Sequence, residues 1–143
     1  MIAVREVADP ADYDAAIALR REVFVVEQGV TEAEDLDGRD PEATHFVAVD
    51  DGRVIAACRV LEGRDGTILF GRLVVAADRR REGVASLMLA QAETWARTHG
   101  GRRISLSAQT AAQTLYEQAG YRQRGEPYVE ARIEHVWMDK DLA

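Results

Sequence analysis

At 143 residues and 47% hydrophobic, the chain is sized for one globular domain, residues 1–143, burying roughly two-thirds of its unfolded surface. No apolar run approaches the ~18 residues of a membrane span, residues 1–6 lack a signal-peptide core, and a net charge of −7 opposes nonspecific nucleic-acid binding, which needs a broad basic surface. The lone cysteine, Cys58, cannot form an intrachain disulfide, and the expected compartment is the reducing cytoplasm.

Met1 to Val7 alternates as a first strand. After Asp9-Pro10, the apolar positions Tyr13, Ile17, Leu19, Val23 and Phe24 recur at roughly helical spacing and predict a first helix. Residues 28–42 lack periodicity and read as a polar loop with room for one helical turn. Thr44–Val49 and Arg53–Leu61 are strands joined through Asp51-Gly52, a strong hairpin signal. Thr67–Val75 completes that meander, and Gly71 inside it marks a bulge or a close backbone approach. A long helix runs from about Gly83 to His99, stopped by Gly100-Gly101, with His99 as its C-terminal cap. Arg103–Ala108 is a strand and Thr110–Ala119 a short helix ended by Gly120. Tyr121–Tyr128 and Ile133–Lys140 close the chain as strands. The alternation is mixed α/β, without repeats or a linker.

The strand end at Leu73, Val74 and Val75 runs through the basic turn Arg79-Arg80-Arg81 into the long helix. The first N–H groups of a helix lack partners within it and carry the positive end of its dipole, which suits a phosphate. Gly83 and Ala85 keep side chains clear of that backbone. Neither a Walker Gly-x-x-x-x-Gly-Lys-Ser/Thr string nor a dinucleotide Gly-x-Gly-x-x-Gly fingerprint is present. Six acids at 31–42 (Glu32, Glu34, Asp35, Asp37, Asp40 and Glu42) face one Arg39, and they read either as a solvated loop or as a surface for a cationic partner.

Two motifs together, Arg80-x-x-Gly83-x-Ala85 and Gln109-x-x-Ala112-x-x-Leu115-Tyr116-x-x-x-Gly120-Tyr121, resemble those of the general-control-related N-acetyltransferase (GNAT) superfamily. Further stretches, Leu19 to Gln28, Asp35 to Asp40, His45 to Ala48 and His135 to Met138, are similar to its bacterial ElaA-type subgroup, so the resemblance spans nearly the whole chain. Two positions depart from the pattern: Ala77 stands where a proline is common, and Gln109 stands for asparagine.

The resemblance implies a mixed, mostly antiparallel central sheet of six to seven strands flanked by about four helices. It implies acetyl-coenzyme A as cosubstrate, without a metal, and direct transfer to a primary amine of a small molecule or peptide, with a cationic acceptor in keeping with the acidic loop. Leu73, Val74 and Val75 would line the pantetheine arm, strand 104–108 would splay away to admit it, and a strand N–H near Val75 would polarise the thioester carbonyl. Arg80, Arg81, Glu82, Gly83, Val84, Ala85 and Ser86 would hold the pyrophosphate, with Gln109 nearby. Tyr116 would protonate the departing thiolate, although it also fits a packed helix face. Candidates by type for the amine's proton are Glu27, His45, Glu134 and His135, of which Glu27-Gln28 is placed to border the acceptor pocket. Trp95, Trp137 and buried Cys58 read as packing residues. A noncatalytic acyl-coenzyme A sensor, or a transferase with another acyl chain or acceptor, is the alternative; a monomer and a homodimer both fit.

Overall fold

A computed structural model describes residues 1–142. Seven strands form one open sheet in the order β1-β2-β3-β4-β5-β7-β6. They are β1 (Ala3–Glu6), β2 (Thr44–Asp50), β3 (Arg53–Glu62), β4 (Thr67–Val75), β5 (Arg103–Gln109), β6 (Arg122–Glu130) and β7 (Ile133–Asp141). All neighbours are antiparallel except β4 and β5, which run parallel. Four helices flank the sheet: α1 (Pro10–Arg20), α2 (Glu32–Asp35), α3 (Val84–Thr98) and α4 (Gln113–Gln118). The mixed, mostly antiparallel sheet expected from the sequence is therefore present.

Alternation along the central strands sorts their side chains onto two faces. Phe46, Ala56, Cys58, Val60, Ile104, Leu106 and Met138 pack with Met88, Leu89 and Ala92 of α3 and Tyr116 of α4. On the opposite face Val47, Ala57 and Val74 meet Ala16 and Leu19 of α1 and Val23 just beyond it. The central strands are thus apolar on both sides, and fully burying each large aliphatic side chain contributes about 1.5–3 kcal/mol.

Local signals fix the element ends. Asp9 caps α1 by accepting from the Asp12 N–H at 2.9 Å, with Pro10 in the first turn. Asp51 and Gly52 take φ of 50° and 75° in the β2–β3 turn, as an Asp-Gly hairpin requires. His99 Nδ1–H donates to the Trp95 carbonyl at 2.8 Å, which ends α3 as its capping role predicts.

Three further features distinguish this frame. The first helix does not stop at Phe24; it widens into π-helical turns over Arg21–Glu27, with Gln28 N–H donating to the Val23 carbonyl five residues back at 3.0 Å. Such widened turns are frequent at functional sites. Second, the polar loop after it folds into α2, held by a capping box between Thr31 and Glu34, and a 3₁₀ turn at Asp40–Glu42. Third, β4 carries one extra residue against β3: Arg59 pairs with Gly71 and Ala57 with Val74, so Arg72 and Leu73 oppose Cys58 alone. Arg72 turns to φ 53° in this bulge, one residue beyond the glycine that signalled it.

Candidate active site

The parallel pairing of β4 with β5 ends at Phe70 and Leu106. Beyond it β4 continues to Val75 and β5 to Gln109, diverging without pairing. The wedge between them opens into a cleft of about 470 Å³, lined on one arm by Gly71 to Val75 and on the other by Leu106, Ser107 and Gln109. Its β4 edge is a strand margin with no partner strand, able to hydrogen-bond an extended guest.

At the end of that margin the chain enters α3. Gly83 caps the helix in a left-handed conformation, φ 80°, and no side chain caps the first-turn N–H groups. Nothing lies within 4 Å of where a Gly83 side chain would begin. An uncapped helix start beside open space is a ready anion site. The three arginines of the turn behave differently from one another. Arg79 is tied to Asp50 at 2.9 Å and Glu82 at 3.0 Å. Arg80 donates to the Val75 carbonyl at 3.2 Å and, through both terminal nitrogens, to Glu27 at 2.7 Å each. Arg81 is exposed and forms no ion pair among the described residues.

Glu27 and Gln28, at the end of the widened helix, straddle the cleft. Glu27 reaches Arg80, while Gln28 accepts from Gln109 Nε2 at 2.8 Å on the opposite arm. Both line the cleft. The hydrogen bonds from Arg80 hold the Glu27 carboxyl below the usual carboxylate range, which makes it a weak proton acceptor. Gln109, with its amide turned to Gln28, stands on the far wall from the anion site.

Tyr116 is 7% exposed and lines the cleft from α4, on the α3 side of the sheet. Its ring meets Tyr121 edge-on at 6.1 Å. Its hydroxyl makes no hydrogen bond among the described residues. Burial pushes the phenol above the ordinary tyrosine range, with neighbouring Cys58 adding to the effect. Burial pushes the Cys58 thiol up as well, which suits the packing role expected for it.

The opposite end of the cleft is walled by Glu34 and Asp35 of α2, Arg72 of the bulge, and Glu130, Ala131, Ile133 and His135 of the β6–β7 hairpin. The acids of residues 31–42, read from the sequence either as a solvated loop or as a surface for a cationic partner, are each paired with an arginine of the chain. Arg20, 2% exposed, binds Asp35 and Asp40. Arg59 binds Asp37 and Asp40. Arg72 adds contacts to Asp35 at 3.0 Å and Asp37 at 3.2 Å. Glu32 pairs with Arg21, Glu42 with Arg39, and Glu34 with Arg132. Arg132 also donates to the Gly29 carbonyl at 3.0 Å, so the hairpin tip is fastened across the cleft to the α2 loop.

His45 stands outside the cleft lining. It is buried beside this network, where Nε2–H donates to the Asp40 carbonyl at 3.0 Å and the ring meets Tyr13 edge-on. Glu134 likewise faces away, accepting from Thr110 at 3.0 Å. His135 does line the cleft, stacked with Tyr128 at 6.0 Å, and the Tyr128 hydroxyl meets Ser107 Oγ. Ser107, Tyr128, Arg72 and Arg132 carried no motif in the sequence. Strand register, the β4 bulge and the β6–β7 turn bring them to or beside this wall.

Among the described residues no cluster of three or more His, Cys, Asp or Glu could hold a metal ion, and no helix is long and apolar enough to cross a membrane.

Comparison with known proteins points the same way. The family model described as acetyltransferase (GNAT) domain matches residues 7–142. The uncharacterized N-acetyltransferase YjcF of Bacillus subtilis is 34% identical over 127 residues, covering 88% of this chain and 90% of that relative. Among solved structures, Escherichia coli ElaA superposes with a TM-score of 0.87 at 26% identity, covering 98% of this chain and 99% of that one. An acyl-CoA N-acyltransferase from Pseudomonas aeruginosa gives 0.85 at 28%, with the same coverage.

Proposed function

This chain belongs to the GNAT acetyltransferase family, and we propose that it is a single N-acetyltransferase domain moving an acetyl group from acetyl-coenzyme A directly to a primary amine of a small molecule or peptide. The observation that carries the reading is the continuity of two features. The unpartnered β4 edge from Gly71 to Val75 leads, through the short turn at 76–83, to the uncapped N-terminus of α3. An extended, amide-bearing arm that ends in a pyrophosphate needs those two surfaces in that order.

The residues fit such a donor. The backbone of Leu73, Val74 and Val75 would take the arm as an added strand, and Gln109 would close the far wall. Backbone N–H groups from Arg81 through Glu82, Gly83, Val84, Ala85 and Ser86 would hold the pyrophosphate. Arg81 would supply an unpaired charge beside them, and Arg80 stands there paired with Glu27. Charged hydrogen bonds contribute roughly 1.5–3 kcal/mol each, so a few suffice for micromolar affinity after the cost of association. The bound donor supplies an activated thioester. In this reading a backbone N–H near Val75 would polarise its carbonyl.

Tyr116 is the proton donor in this reading. Burial keeps its phenol protonated at neutral pH, and the same dry surroundings raise the proton affinity of a thiolate beside it. Replacing Tyr116 by Phe removes the proton and keeps the ring. Acetyl-coenzyme A affinity, measured by calorimetry, should stay within about twofold, while thiol release with an amine acceptor falls roughly 10²-fold, at the low end of positioned acid catalysis. Turnover unchanged in Tyr116→Phe would overturn the assignment.

A further inference from the structure

An amine that attacks a thioester must first lose a proton, and the cleft holds few groups able to take it. Its lining carboxylates are Glu27, Glu34, Asp35 and Glu130. Three are engaged by arginines: Glu27 by Arg80, Glu34 by Arg132, and Asp35 by Arg20 and Arg72. Glu130 is exposed at the rim, where a Tyr128 hydroxyl lies 3.5 Å away.

His135 is different. Its Nδ1 lies 2.7 Å from the Ile133 carbonyl oxygen. A carbonyl can only accept, so Nδ1 carries the hydrogen and the neutral ring keeps its lone pair on Nε2. The stacked Tyr128 ring fixes the imidazole plane, and Tyr128 is itself anchored through its hydroxyl to Ser107. Register places Gln109, His135 and Tyr128 side by side on three adjacent strands, so they share one face of the sheet. That face is opposite to the one occupied by Tyr116. The residue after His135, Val136, packs in the same core as Tyr116. Both side chains nevertheless line the one cleft, because the β4–β5 wedge opens through the sheet.

We propose that His135 is the catalytic base, accepting the proton of the acceptor ammonium on Nε2, with Tyr128 and Ser107 as its positioning residues. The proposal rests on the acetyl-transfer reading. His135 takes one proton from R–NH₃⁺, freeing the nitrogen lone pair to form the C–N bond. The C–S bond breaks with its electron pair going to sulfur. Tyr116 gives sulfur a proton and is restored by the proton the new amide nitrogen sheds. His135 returns its own proton to solvent, so each turnover yields amide, thiol and one H⁺.

The test uses the full chain, acetyl-coenzyme A and four amine probes: spermidine, tyramine, lysine ethyl ester and a tripeptide with a free N-terminus. With the best of these, His135→Gln should lower kcat at least 10²-fold and leave acetyl-coenzyme A affinity within about twofold. Millimolar imidazole should restore part of the turnover of His135→Ala. Independently of activity, ¹⁵N spectra of the histidine rings should show the resonance lost in His135→Gln as the Nδ1–H tautomer. Turnover in His135→Gln within threefold of the parent overturns the assignment, as does a protonated, neutral Nε2. A loss confined to Glu130→Gln hands the proton to Glu130 and overturns it too. Acetyl-coenzyme A binding with no thiol release from any probe by the unmodified protein overturns the transfer reading itself, a result separable from the others.

Discussion

Two runs of like charge lie in this chain, the acids of 31–42 and the arginines of 79–81, and folding uses them in opposite ways. The acidic run is neutralised by the protein itself: Asp35 and Asp40 are buried on Arg20, and the remaining, exposed acids each find an arginine. The basic run is only partly consumed, since Arg79 and Arg80 are paired while Arg81, unpaired among the described residues, stands beside an uncapped helix start. A charge run in a sequence therefore says little about the field a ligand meets. What counts is whether the counter-ions come from the protein. Here the acid loop builds a wall, and the arginine turn keeps a site.

The wall's dependence on its cations is the largest effect to expect. Arg20→Ala takes away the buried partner that Asp35 and Asp40 share and leaves them one arginine each, Arg72 and Arg59, a defect that costs up to about 3–5 kcal/mol and lowers Tm by up to roughly 10 °C for a domain of this size. Urea denaturation followed by circular dichroism measures it. A loss below about 1 kcal/mol would mean that the loop is held by something other than this network. The variant should still bind acetyl-coenzyme A when cold, because Arg20 lies across the cleft from the anion site.

Within the basic run the same comparison can be made one residue at a time. Arg81→Ala removes the unpaired charge and should weaken coenzyme A binding roughly tenfold, about 1.4 kcal/mol, with little change in stability. Arg79→Ala removes a charge that Asp50 and Glu82 already neutralise, and should alter affinity less than threefold. Calorimetric titrations of both variants decide between them. Equal losses would show that the turn acts through net charge alone.

The surfaces proposed for the donor were legible because they are local. The strand end at 73–75, the Arg80-x-x-Gly83-x-Ala85 turn and the helix from 84 are contiguous, and short-range rules specify them. The seven strands were legible too, from alternation and from turns such as Asp51-Gly52. The opposite end of the cleft was not, because its members are brought together from far apart in the sequence. Arg132 meets Glu34 across 98 residues and Gln109 meets Gln28 across 81. The β6–β7 turn hid its register: Ala131 and Arg132 sit at φ 50° and 65° where glycine or asparagine would have announced a two-residue hairpin. Without that register, Tyr128 and His135 cannot be set side by side, and His45 and His135 look alike. Glu27 was located at the pocket, but its arginine, 53 residues on, was invisible.

The smallest effect tests how the wall is fastened at its rim. Glu34 caps α2 and receives Arg132, and these hydrogen bonds, Arg132's first and then Thr31's, lower its pKa from 4.5 to about 2. The folded carboxyl holds its proton less tightly than the unfolded one, so its contribution to stability is complete above pH 4.5. That contribution fades as the pH falls from 4.5 toward 2. Glu34 is exposed, and the contribution is accordingly slight and sensitive to salt. Comparing urea midpoints of the parent and Glu34→Gln at pH 7, 4.5 and 3 isolates it: the gap between the two should be widest at pH 7 and shrink steadily below 4.5. A gap that stays constant down to pH 3 would show that Arg132 holds the hairpin through the Gly29 carbonyl alone, making the rim a neutral clasp on an ionic wall.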